Sequence, residues 1–329
     1  MPDKKRILSG MRPTGKLHLG HLVGALENWV DLQSEYENYH LIADYHALTT
    51  NLDSSQIYDN SIDMLIDWLA AGIDPKASPM FRQSQIKEHT ELQLIFSMLV
   101  TTARLERNPT LKEQVRDLEM ENISIGHLGY PVLQAADILL YKGEVVPVGE
   151  DQLPHIEITR EIARKFNTQY SPMKPVFPEP EGKITRFARL PGLDGKRMSK
   201  SIGNTILLSD SPEVIQKKMR SAITDPQKLR KGDPGRPEIC LVYTYHQKFN
   251  SQETPVIEKD CRSGKLGCVD CKMNVTQKVC DYLSPFREKR KYFETHQQEV
   301  KDILHEGEAR AKTYAGHTMA EVHEVMKLG

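Results

Sequence analysis

A chain of 329 residues with 39% hydrophobic residues can bury a sizeable core, and its length suggests two domains. Lys and Arg total 44 against 45 Asp and Glu, a net charge of -1, so any nucleic-acid surface must be local. Met1-Pro2-Asp3-Lys4-Lys5-Arg6 runs into only two apolar residues, and no window approaches the roughly 18 that a membrane helix needs, which points to a cytosolic protein with no membrane contact.

Ile7-Leu8 reads as a short strand, and Ser9 to Gly15 as a turn-rich stretch. His18-Leu19-Gly20-His21 then opens an apolar-periodic segment through Trp29. A strand, a glycine-bearing loop and a helix start in that order make an anion site, because first-turn amides are unpaired and the helix dipole is positive there. The two histidines can both donate to a phosphate; a metal pair would lack a third ligand nearby, and a structural pair of turn histidines is the plain alternative. His40 to Ala43 reads as a second strand, ending in Asp44-Tyr45-His46. Ser54 and Ser55 offer an N-cap to a helix with Ile62, Leu65, Ile66 and Leu69 on its apolar face, stopped by Gly72. Pro79 to Phe81 suggests a third strand, and Leu92 to Val100 a helix. Strands alternating with helices predict an α/β fold with a doubly wound parallel sheet, whose ligands sit at the carboxyl ends of the strands.

Tyr130 to Tyr141 is apolar all round except Gln134 and Asp137. A carboxylate there is a surface-edge residue, or is paired with a distant Arg, or faces a ligand bearing an N–H donor in an apolar pocket. Val145 to Val148 is a fourth strand. Gly149-Glu150-Asp151-Gln152 starts the next helix, either as simple capping or as the second half of a nucleotide site. Prolines and glycines cluster from Ser171 to Gly195, as in an interdomain connection. Gly195-Lys196-Arg197-Met198-Ser199-Lys200-Ser201-Ile202-Gly203-Asn204 follows, a loop able to offer several donors to one anion. Pro212 to Ala222, a long stretch from Val275 to His305 and a last segment read as helices. The basic runs Lys228 to Lys231 and Arg287 to Lys291 are candidate RNA contacts, though such runs are usually solvated faces. Cys240, Cys261, Cys268 and Cys271, with 20, six and two residues between them, suit a metal site better than a disulfide framework; Cys280 is the spare.

His18-Leu19-Gly20-His21 and Arg197-Met198-Ser199-Lys200-Ser201 resemble the two signatures of class I aminoacyl-tRNA synthetases, usually written HIGH and KMSKS. Ser9 to Gly15, Ala43 to Thr49, Tyr130 to Tyr141 and Val146 to Gln152 extend the resemblance over nearly the whole chain, to the bacterial-type tryptophanyl-tRNA synthetase family. The resemblance implies a Rossmann-type sheet domain with a helical insertion over 1–190. Residues 191–329 would hold the loop and a mostly helical domain that binds the tRNA anticodon. It implies activation of L-tryptophan with Mg2+ and ATP to tryptophanyl-adenylate and pyrophosphate, then transfer to the 3′ end of tRNA(Trp), by a homodimer. Tyrosyl-tRNA synthetase shares the fold and both signatures and is the alternative; a noncatalytic paralogue that binds RNA or senses tryptophan is another.

By position, the resemblance makes Asp137 the acceptor for the indole N–H, with Tyr130, Gln152 and His46 at the amino-acid end. It assigns Gly20, His21, Gly149, Glu150 and Asp151 to adenosine, Leu190 to adenine, Arg12, Pro13 and Thr14 to the phosphates, and His18 to ATP. Arg197, Met198, Ser199, Lys200 and Ser201 would also bind ATP, with Lys200, Lys112 and Arg197 stabilising the leaving pyrophosphate. Arg197 stands where the signature's first lysine is usual, which keeps the charge and changes the donor geometry. The cysteine layout resembles a subset of the family with a [4Fe-4S] cluster on four thiolates; Zn2+ is the alternative.

Overall fold

The computed structural model describes residues 4–117, 120–184, 190–200 and 202–328. Among these, five strands form one parallel sheet: β1 (Arg6–Met11), β2 (Glu37–Ile42), β3 (Met80–Arg82), β4 (Val145–Val148) and β5 (Glu181–Ile184), in the order β3-β2-β1-β4-β5. The order grows outward from β1 in both directions, so the chain changes side between β1 and β4. That reversal is where an open α/β sheet leaves a crevice at its carboxyl edge.

Alternation along the strands explains why both sheet faces are covered. Leu8, Tyr39, Leu41 and Phe81 point into one apolar core with helices Glu88–Ser97, Ile125–Leu140 and Leu153–Tyr170. Ile42 and Met80 point into another, shared with helices Ile57–Ala71, Pro212–Ser221, Leu241–Phe249 and Cys268–Thr295. The second core runs from Leu17 to Leu304 without a break at 190/191. The last helix, Gln297–Met326, returns to the sheet and sets Ala311, Ala315, Met319 and Val322 into the first core.

Several expectations shift. A short helix, Asp44–Leu48, directly follows β2, and the helix expected after Ser54 and Ser55 starts at Ile57 with Gln56 as an uncapped N-terminal residue; the Ser55 amide instead donates to Asp53 Oδ1, closing a turn before the helix. Gly72 does stop it, at φ +109°. The proline-rich connection contains β5, whose residues Glu-Gly-Lys-Ile carry no apolar alternation to reveal a strand at the sheet's edge. The long C-terminal stretch is two helices that meet at His296, with no Gly or Pro at the break. Both basic runs are partly interior: Lys228 and Arg290 are 7% and 4% exposed. Arg290 pairs with Asp63 and Asp67 of the Ile57–Ala71 helix, which leaves Arg230, Lys231, Lys289 and Lys291 as the exposed cations of those runs.

Candidate active site

The crevice is a cavity of about 1220 Å3. Gly10 and Met11 at the end of β1 and Val148 and Gly149 at the end of β4 line its floor. The two signature segments meet there through backbone pairing: Leu19 N–H donates to Ile206 C=O at 2.8 Å and Leu208 N–H to Leu17 C=O at 3.0 Å. Residues 206–208 were not singled out in the sequence, yet they splice the 195–204 loop to the start of the first helix. Asn204 closes that loop on itself, donating to Asp194 Oδ1 and Arg197 C=O and accepting from Ser199 N–H.

In this cavity lies Asp137, 2% exposed on the apolar Ile125–Leu140 helix. Its partners are not an arginine. Oδ1 accepts from Gln83 Nε2 and His89 Nδ1, each at 2.7 Å, and Oδ2 accepts from His46 Nε2 at 2.8 Å. Burial alone would raise this carboxyl, but the hydrogen bonds from His46 and His89 outweigh it and hold it down to about 2. Tyr130 lies beside it with its hydroxyl 2.7 Å from His155 Nε2, and Asn108 Nδ2 is 2.9 Å from His155 Nδ1. Burial lowers His155 to about 4, so the ring is neutral. Gln83, His89 and His155, all fully buried, are functional partners the sequence did not mark; the only signal was that a carboxylate on so apolar a helix requires donors from elsewhere.

The same cavity carries cations, with Arg12 close enough to interact with both Tyr130 and Arg197. Arg12 and Arg197 line the cavity and are open to solvent, and among the described residues neither forms an ion pair with a carboxylate. Lys200 Nζ donates to Thr14 C=O at 2.6 Å, which puts the ammonium at the cavity's edge rather than in its lining. The His18 and His21 rings lie against each other, tilted by 37°, with centres 3.7 Å apart. Burial first, and then the neighbouring positive charges, lower them to about 4 and about 3. His21 Nδ1 accepts the His18 N–H at 3.1 Å, so its proton sits on Nε2. Gly20 leaves little room beside them: a Cβ there would lie 3.0 Å from both His18 Nδ1 and Met198 Sδ, so those side chains would have to shift.

Of the residues expected in the site, Arg12, His18, Gly20, His21, His46, Tyr130, Asp137, Gly149, Glu150, Asp151, Gln152, Leu190, Arg197 and Met198 line this one cavity. Pro13, Thr14, Ser199 and Lys200 lie next to lining residues in the two loops. Lys112 does not line it; it is exposed on helix Pro109–Asp117, whose Thr110, Glu113 and Gln114 do. Ser201 lies outside the described residues.

Far from this cavity, Cys240, Cys261, Cys268 and Cys271 line a second, small one together with Lys228 and Asp225. Burial, then repulsion from the other three sulfurs, raises the Cys271 thiol to about 12. Among the described residues no set of three or more His, Cys, Asp or Glu stands ready to hold a single ion.

A doubly wound parallel sheet with two spliced basic signatures over its reversal point defines a class I synthetase. Residues 2–284 match the family described as tRNA synthetases class I (W and Y), and the chain belongs to it. Within it, the chain is 49% identical to the tryptophan–tRNA ligase of Thermotoga maritima over 98% of its own length and 99% of that protein. It is 43% identical to the tryptophan–tRNA ligase of Aquifex aeolicus, covering 98% and 100%. The crystal structure of Campylobacter jejuni tryptophanyl-tRNA synthetase with ADP and tryptophan superposes with a TM-score of 0.88 at 33% identity, covering 98% and 99% of the two chains.

Proposed function

We infer that the chain charges tRNA(Trp) with tryptophan in two steps. An oxygen of the tryptophan carboxylate attacks the α-phosphorus of ATP, the bond to the β-phosphate breaks, and pyrophosphate leaves with Mg2+. A ribose hydroxyl at the 3′ end of the tRNA then attacks the adenylate's carbonyl carbon and AMP leaves. The observation that carries this reading is one cavity that brings together a buried, donor-held carboxylate and two arginines, Arg12 and Arg197, with no carboxylate partner among the described residues.

A carboxylate has about four acceptor positions. Gln83 and His89 fill both on Oδ1 and His46 fills one on Oδ2, so one remains for a single N–H donor. The indole N–H is donor-only and matches it; a phenol O–H could donate there too, but its own lone pairs would be left without a donor. Tyr130 and Gln152 stand at the amino-acid end. Glycine at 20 and 149 lets an adenosine approach the backbone, with Glu150, Asp151 and Leu190 beside it. Arg12, Arg197 and Lys200, with the N–H groups of His18 and His21, meet the phosphates. Lys112 joins them only if its helix moves.

Lys200 acts mainly on the leaving pyrophosphate, where removing one preorganised cation costs on the order of 10²–10³ in rate. Charging of tRNA(Trp) transcript tests the reading: the parent chain should form tryptophanyl-tRNA, and Lys200→Ala should lose kcat while its tryptophan Kd stays near the parent's. A chain that binds tRNA without charging it would be the noncatalytic paralogue instead.

Residues 191–329 carry the tRNA contacts in this reading, with Arg230, Lys231, Lys289 and Lys291 as exposed phosphate partners. A homodimer is supported by Leu94, Met98 and Ile125, which are 59%, 72% and 90% exposed on neighbouring helices. Light scattering should give the mass of two chains. Among the described residues no helix is long and apolar enough to cross a membrane, and a tRNA substrate suits the cytoplasm.

The four cysteines that line the small thiol cavity are the donor set of a [4Fe-4S] cluster, with Zn2+ as the alternative. The cradle is shaped for sulfur, since a Cβ on Gly235 would lie 2.5 Å from Cys261 Sγ. When bound, the group would cross-link the segments that carry the four cysteines.

A further inference from the structure

The thiol cavity has polar neighbours that the reading above leaves unused. His246, fully buried on helix Leu241–Phe249, places Nε2 3.3 Å from Cys271 Sγ and 3.2 Å from Cys271 C=O. A carbonyl only accepts, so Nε2 carries the proton. The other ring nitrogen agrees: Nδ1 faces Asn250 Nδ2 at 3.2 Å and accepts from it. The Asn250 amide is in turn oriented by Glu253, whose Oε2 accepts from Nδ2 at 3.2 Å; turning the amide over would set its oxygen against a carboxylate. Glu253 is held by Lys278 Nζ at 2.8 Å and Asn274 Nδ2 at 3.1 Å. Cation, carboxylate, amide and imidazole thus form one chain that ends in an N–H aimed at a sulfur. A second donor approaches from the opposite wall, where buried Lys228 puts Nζ 3.1 Å from Cys261 C=O and 4.0 Å from Cys261 Sγ.

An empty thiol needs none of this, because S–H is a weak acceptor and the Cys271 carbonyl could be satisfied by a backbone amide. A thiolate bound in a cluster is a strong acceptor, and donors to its sulfur stabilise it and raise the cluster's reduction potential. We propose that His246 is a positioning residue of the four-cysteine site, held in its donor tautomer by Asn250 and Glu253, and that with Lys228 it retains an iron–sulfur cluster there. This rests on the reading that the cavity takes such a cluster.

The test uses the full chain prepared without oxygen, as parent, His246→Leu and His246→Gln, with folding checked by circular dichroism. Iron and sulfide content, visible absorption, the rate of iron loss to a chelator and the reduction potential are measured. The parent should hold four irons and four sulfides. His246→Leu should lose iron roughly tenfold to a hundredfold faster and show a lower potential. His246→Gln, which returns an N–H donor, should recover most of both. A parent without iron and sulfide overturns the cluster reading and this inference with it. A parent with the full cluster and a folded His246→Leu chain of unchanged release rate and potential overturns this inference alone. Should the Leu chain not fold, His246→Gln decides: parent-like release supports a donor role, and release as fast as from denatured protein overturns it.

Discussion

Asp137 concentrates the chemistry at the scale of single residues. The sequence makes it visible, because a carboxylate inside an otherwise apolar helix is expensive and must be compensated. Its compensation is invisible, because Gln83 and His89 come from the segment around β3 and His46 from the helix after β2, and nothing local distinguishes them from other polar residues. Asp137→Asn should raise the KM for tryptophan on the order of tenfold to a hundredfold, since a hydrogen bond to a charged group contributes about 1.5–3 kcal/mol. The KM for ATP should change little, because the phosphates are met by other residues of the cavity. Equal effects on both substrates in steady-state kinetics would remove Asp137 from its assigned place. Lys112 shows the converse: its residue type and position suggest a phosphate contact, but its helix presents Thr110, Glu113 and Gln114 to the cavity and Lys112 to solvent.

Among the elements, helix Cys268–Thr295 has the widest reach. Its first turn supplies Cys268 and Cys271 to the thiol cavity, and six turns on Arg290 reaches Asp63 and Asp67 of helix Ile57–Ala71, with Asp67 2% exposed. The helix is therefore a rod between the cysteine site and the catalytic sheet. Arg290 sits in a run, Arg-Glu-Lys-Arg-Lys, that reads as a solvated basic face, and only the fold shows that one of its cations turns inward to a distant acid pair. Removing one partner of a buried pair leaves the other charge uncompensated, so Arg290→Ala should cost about 3–5 kcal/mol in denaturant unfolding. A loss under 1 kcal/mol would mean that Asp63 and Asp67 find water instead. The catalytic loop shows the same limit: its basic hexamer is legible, but its attachment through Ile206 and Leu208 to Leu17 and Leu19 is carried by backbone atoms, which sequence type does not report.

For the molecule as a whole, the parallel sheet and its reversal point follow from the alternation of apolar runs and helical periods. The edge strand β5 and the return of the last helix depend on long-range packing. Acid stability is a property at this scale because buried neutral histidines are scattered through it. His18 and His155 are lowered to about 4 and His21 and His40 to about 3, each chiefly by burial. In the unfolded chain they take up protons near 6.5, while the folded chain does not until far lower. The unfolded state therefore binds more protons below that point, and the stability these rings contribute is complete above pH 6.5 and falls between about 6.5 and 4. Calorimetry should show Tm dropping steadily across that window. A flat Tm would mean that the rings are charged in place.

In the proposed function the sheet's crevice activates tryptophan and not tyrosine. ATP–pyrophosphate exchange on the purified chain measures this most directly. Exchange should depend on tryptophan and be near background when tyrosine replaces it at the same concentration. Exchange supported equally by tyrosine, or by neither amino acid, would contradict it.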